Sequence, residues 1–108
     1  MAGIPLQVID SIKKFKDRIS SDFRIIKIII FGSYSKGTFN ENSDIDLCII
    51  VENVENPFLA TLKIAPKVIG IDLRIEPLVF SLKDYEENSN FGILKEIKEK
   101  GIEISSFN

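Results

Sequence analysis

The 108-residue chain has no histidine, no tryptophan, one cysteine and one methionine. Without histidine there can be no Ser-His-Asp triad, no imidazole general base and no His-ligated zinc. With Cys48 alone there is no internal disulfide and no thiolate zinc site. Its setting, Leu47-Cys48-Ile49-Ile50-Val51, is that of a small buried hydrophobe in a reducing, cytoplasmic compartment. No run reaches the roughly 18 apolar residues of a membrane span, and no charged leader precedes a signal-like stretch, so no membrane association is expected. Nor does one sign of charge dominate. Fourteen Lys and Arg against sixteen Asp and Glu leave a formal charge of −2, which excludes a global polyanion-binding field, and direct nucleic-acid binding is not expected. The chemistry that remains belongs to carboxylates, hydroxyls and backbone amides.

What is present is ordinary globular composition, 44% apolar and 28% charged, in a length that predicts a single domain over 1–108. Pro5 suits a first helical turn, and Val8, Ile12, Phe15 and Ile19 follow at helical spacing, predicting an amphipathic helix. Phe23 to Phe31 is nearly continuous in apolar residues, as in a strand buried on both faces. Asp44 to Val51 reads as a second strand. Pro57 opens a short helix that must stop by Ala65, because Pro66 follows. Ile69 to Phe80 alternates cleanly, which predicts a third strand with Asp72, Arg74 and Glu76 on one face and Ile71, Leu73 and Ile75 on the other. Pro77 cannot donate to a ladder and places that strand at an edge or a bulge. Then come an acidic turn at Lys83–Glu87, a helix from Phe91 to Lys100 with Phe91, Leu94 and Ile97 as its stripe and Gly101 as its cap, and a short strand at Ile102–Ile104. This order predicts a small α/β (α+β) domain, a three- to four-stranded mixed sheet with helices packed against it.

The chemically informative stretch is Gly32 to Leu47, GSYSKGTFNENSDIDL. Asp44 and Asp46, two apart on a strand, project to the same face about 6–7 Å apart and can converge on a hard cation. Glu76 or Asp72 on the neighbouring strand can supply a third carboxylate. Acids opening an apolar strand are costly without a cation or strong hydrogen bonds. Gly32 ends a buried strand, and Ser33 opens a turn whose amides and hydroxyl can face a phosphate. Lys36 adds positive charge, Gly37 permits close backbone approach, and Ser43 can bond a phosphate or cap its own turn. Arg74 can neutralise the carboxylates or steer phosphate, and Tyr34 can edge a nucleotide pocket. Phosphate donors at one strand end and a metal-holding pair on the next are what nucleotidyl transfer requires.

Taken together, Gly32-Ser33, ten intervening residues and Asp44-x-Asp46 opening an apolar strand resemble the signature of the polymerase-beta-type nucleotidyltransferase superfamily in its minimal, stand-alone form. The resemblance implies that fold, a triphosphate gripped by Gly32 and Ser33, and two Mg2+ ions held by Asp44, Asp46 and a third acid. Glu76, followed by Pro77-Leu78-Val79-Phe80, fits the third position better than Asp72. The implied activity is transfer of a nucleoside monophosphate, most simply AMP from ATP, to a hydroxyl on a partner protein or small molecule. Stand-alone members commonly pair with a small helical HEPN-type toxin, so the resemblance also implies an antitoxin role. A glutamate where the family carries aspartate keeps a second reading open, a non-catalytic nucleotide-binding interaction module. The sequence is compatible with a homo-oligomer.

Overall fold

The computed structural model describes residues 3–104. Helix α1 (Leu6–Ile19) starts after Pro5 and buries Val8, Ile12, Phe15 and Ile19, the stripe its spacing predicts. Strand β1 (Ile25–Phe31) runs into a one-turn helix α2 (Ser33–Lys36), and β2 (Ile45–Val51) returns antiparallel to β1. Helix α3 (Pro57–Ile64) is capped by the Asn56 side chain, which accepts from the Leu59 N–H at 3.1 Å, and Pro66 turns its end into a 3-10 turn over Ala65–Val68. Strand β3 (Ile75–Ser81) lies parallel to β2. After it come α4 (Leu82–Glu87), α5 (Gly92–Lys100) and the two-residue β4 (Ile102–Glu103), which pairs antiparallel with β1. The sheet is mixed, in the order β3-β2-β1-β4, as expected.

Alternation divides the side chains of the two central strands between two layers. On one face Ile28, Ile30, Ile45, Leu47 and Ile49 pack with α1 and α3 in the larger core. On the other Ile29, Phe31, Cys48, Ile50 and Ile97 form a smaller one beneath α5. Cys48 is fully buried, and that burial pushes its thiol up to about 12.

Three expectations need correction. The third strand begins at Ile75, not Ile69. The Val68 carbonyl accepts from the amides of Ile71 and Asp72 at 3.0 Å each, Gly70 adopts a positive φ of 85°, and the segment turns before it can extend. Asp72 therefore does not share a strand face with Glu76, and Leu73 is 75% exposed instead of inward. The acidic stretch at Lys83–Glu87 is helical, because the Ser81 hydroxyl caps it by accepting from the Asp84 N–H at 3.0 Å. Phe91 precedes the last helix in an extended conformation and is exposed, so the stripe is Leu94 and Ile97 alone. Gly101 caps that helix as expected, with φ −70° and its N–H donating to the Ile97 carbonyl. Its glycine is needed because a Cβ there would collide with the Ile29 side chain and the Ile97 carbonyl.

Candidate active site

The site lies where the end of β1 meets the starts of β2 and β3, on the sheet face that carries the smaller core. Antiparallel register sets Phe31 opposite Asp46, and parallel register sets Asp46 opposite Glu76. Asp46 and Glu76 thus stand side by side on one face, and Asp44, two residues before Asp46, joins them. Hydrogen bonding with Asp44 foremost, then burial and the charges of Asp44 and Asp46, push Glu76 up to about 7. Asp46 is raised in the same sense, by burial first and then by Asp44 and Glu96. Among the described residues no Lys or Arg pairs with any of the three.

Gly32 closes the other side. Its φ of 71° and ψ of −143° belong to a region only glycine enters freely. An added Cβ would meet the Asp46 carboxylate. The backbone before Ser33 can lie directly against the acidic cluster only because position 32 lacks a side chain. Ser33 opens α2, and its hydroxyl has no protein partner among the described residues. Lys36 reaches across to Glu96 of α5 at 3.8 Å. Gly37 takes a left-handed φ of 76° to end α2, with open space where a Cβ would sit. Ser43 closes its own turn, its hydroxyl accepting from the Asn40 N–H at 2.8 Å.

Asp72 is elsewhere. It receives a two-pronged hydrogen bond from Arg74 at 3.0 and 2.8 Å and another from the Ser11 hydroxyl at 2.8 Å. Arg74 foremost, and Ser11, hold its carboxyl down at about 2. The structure brings Asp44, Asp46 and Glu76 together and leaves Asp72 on the α1 side, with Arg74 occupied there and not on the cluster. Tyr34 is an interior residue, stacked on Phe39 with centroids 4.4 Å apart. Glu96 is the acid the sequence did not single out. Nothing in its helical setting signals that α5 crosses this end of the sheet.

Among the described residues no three acidic or cysteine side chains close around a common point as a ready cation cage. The donor set nonetheless fits a hard divalent cation in kind: carboxylate oxygens with no competing positive charge, open on one side to a ligand that brings oxygens of its own.

A strand-turn-strand bearing acids against a glycine-serine turn, on a small mixed sheet, defines a class of phosphoryl-handling transferase. The nucleotidyltransferase domain profile matches residues 12–104, and the chain belongs to that family. A candidate protein adenylyltransferase of Methanocaldococcus jannaschii is 29% identical over 109 residues, spanning 92% of this chain and 100% of that protein. A second from the same organism is 31% identical over 93 residues, spanning 84% of this chain and 91% of its own length. Among solved structures, a candidate nucleotidyltransferase from Sulfolobus solfataricus superposes with a TM-score of 0.66 at 17% identity, covering 91% of this chain and 79% of that one. A toxin-antitoxin structure with AMP-PNP gives 0.56 at 22% identity, covering 88% and 70%. At those identities the two structures speak for the fold.

Proposed function

We propose that this chain transfers AMP from ATP to a hydroxyl group on a partner protein. The observation that carries the reading is the cluster of Asp44, Asp46 and Glu76 against the Gly32-Ser33 turn. The relatives named as candidate protein adenylyltransferases support a protein acceptor over a small molecule. Ser33, its neighbouring amides and Lys36 take the triphosphate, with Gly37 allowing its approach and Ser43 shaping the loop. Lys36 must exchange Glu96 for phosphate oxygens to do so, which costs little for an exposed pair.

Asp44, Asp46 and Glu76 would hold two magnesium ions, which supply activation of the acceptor hydroxyl and neutralisation of the leaving pyrophosphate. The acceptor oxygen attacks the α-phosphorus, the bond from that phosphorus to the oxygen bridging to the β-phosphorus breaks, and pyrophosphate departs with that oxygen. Glu76 receives the acceptor proton. The partner is a toxin protein, a reading the toxin-antitoxin fold neighbour supports; that it is a small helical protein of the HEPN type rests on the family resemblance alone. No helix among the described residues is long and apolar enough to cross a membrane, and the site works in the cytoplasm.

The test is incubation with ATP labelled at the α-phosphate, magnesium and a lysate of the host, beside Asp46→Asn and EDTA controls. Label on one protein band, lost in both controls, is the expected result. Label on a small molecule would replace the acceptor. Absence of label with ATP still bound would establish the non-catalytic binding module instead.

A further inference from the structure

We propose that Arg74 is a positioning residue that aligns the carboxylate-bearing starts of β2 and β3, holding Asp44 and Asp46 in register with Glu76. This rests on the transfer site proposed above. Arg74 lies two residues before Glu76 and touches none of the acidic cluster. Its side chain instead collects the segments that deliver the cluster. Nε and Nη2 grip Asp72 at 3.0 and 2.8 Å, and Nη1 donates to the Glu41 carbonyl at 3.0 Å. The same Nη1 lies 3.4 Å from the Tyr34 hydroxyl, on the helix that Ser33 opens. The Arg74 carbonyl accepts from the Ile45 N–H at 2.7 Å, forming the first rung between β2 and β3. Asp72, held also by Ser11 of α1 and by the Arg74 amide at 3.1 Å, gives the guanidinium a fixed base.

Geometry makes the arginine specific. The loop from Gly37 to Ser43 ends at Asp44, and Arg74 grips it three residues before that acid. A planar fork can serve Asp72 with one edge while pointing its remaining nitrogen at Glu41; a lysine ammonium supplies charge to Asp72 but cannot span both. A residue that fixes the mutual placement of reacting groups acts on turnover more than on substrate affinity, and displacements of about 1 Å can cost on the order of a hundredfold.

The test compares Arg74→Lys, Arg74→Ala and Asp72→Asn with wild type, using Ile19→Val as a core variant that lowers stability away from the site. Two readouts are taken. The first is kcat and KM for ATP in the labelling assay, well below the unfolding midpoint. The second is hydrogen exchange of the Ile45 and Ser43 amides, normalised to Ile49 and Ile50 further along β2. Arg74→Lys is expected to stay folded, to lose on the order of ten- to a hundredfold in kcat with a smaller change in KM, and to lose protection at Ile45 and Ser43 alone. Ile19→Val should keep kcat and that local protection. Wild-type protection at both amides in Arg74→Lys and Arg74→Ala would overturn the proposal, as would unchanged kcat. If the wild type transfers nothing, the transfer reading falls and the exchange pattern still decides whether Arg74 aligns the two strands.

Discussion

Single residues set both the shape and the electrostatics of this site. Gly32 holds its backbone at φ 71° and ψ −143° with no room for a Cβ beside Asp46. Gly32→Ala should therefore cost at least about 1–3 kcal/mol of backbone strain and displace Asp46, read by urea unfolding together with the loss of AMP transfer. An alanine variant of wild-type stability would contradict this account of the turn. Glu76 gives a prediction with a sign. Its carboxyl ordinarily titrates at 4.5 and is held at about 7 by Asp44, by burial and by Asp46. The metal-free folded chain thus keeps a proton that the unfolded chain has released between those values. Stability from this group is complete below the ordinary value and lost as pH rises through about 7. Asp72, held down at about 2, acts oppositely: its contribution is present above 3.8 and is lost only in stronger acid. In EDTA the urea midpoint should fall as pH rises from about 5 to about 8, and Glu76→Gln should remove most of that slope. An identical slope in Glu76→Gln would refute the shared-proton picture.

At the scale of elements, β3 shows how an edge strand beside the site is kept from pairing with another chain. Its even-numbered amides face β2, so those of Ile75, Pro77 and Val79 face outward. Ile75 donates back to the Asp72 carbonyl at 3.2 Å, Pro77 has no N–H, and Val79 donates to the Thr61 hydroxyl of α3 at 2.9 Å. That hydroxyl also donates to the Pro57 carbonyl at 2.9 Å. Thr61→Val keeps the shape and removes both bonds, for an expected loss of about 1 kcal/mol. Combined with Pro77→Val it frees two outward amides in succession, and sedimentation should then detect more self-association than in wild type; a double variant with wild-type sedimentation would mean the edge needs no such protection. The same strand marks what sequence reasoning could reach. Proline and periodicity located α1, α3 and both central strands, and Pro77 correctly announced an edge. The alternation of Ile71, Leu73 and Ile75 was misleading because period two does not register the turn closed on the Val68 carbonyl, and Asp72 is bonded instead to Ser11, 61 residues away. Phe91 failed for a similar reason. An aromatic at helical spacing looks like core until the cap geometry is known. The acidic pair and the glycine-serine turn were legible because their spacing is itself the signal. Glu96 and the alignment by Arg74 were not, since both depend on which helix or loop the topology brings across the strand ends.

For the molecule as a whole, the sheet is covered unequally. Among the described residues, sixteen buried side chains make up the core under α1 and α3, against five in the core under α5. Helix α5 contributes only Leu94 and Ile97 as buried residues, and β4 joins the sheet through two paired positions. The site sits on this thinner side. Asp44, Asp46 and the Gly32 turn are fixed to the central strands and Glu76 to β3 beside them, while Glu96, whose charge bears on Asp46 and which holds Lys36, rides on the weakly anchored helix. Since apolar burial is the main stabilising contribution, the two layers should not open together. Native-state hydrogen exchange is expected to show α5 amides exchanging through a partial opening of lower free energy than the amides of β1, β2 and α1, which should require global unfolding. Low denaturant should leave that partial opening nearly unchanged, because it exposes little surface. ATP with magnesium should slow exchange in α2 and the β2 start more than in α5, whose Glu96 releases Lys36 on binding. Uniform opening free energies across α5 and the central strands would make the domain one cooperative unit. The wall carrying Glu96 would then be as rigid as the strands beneath it.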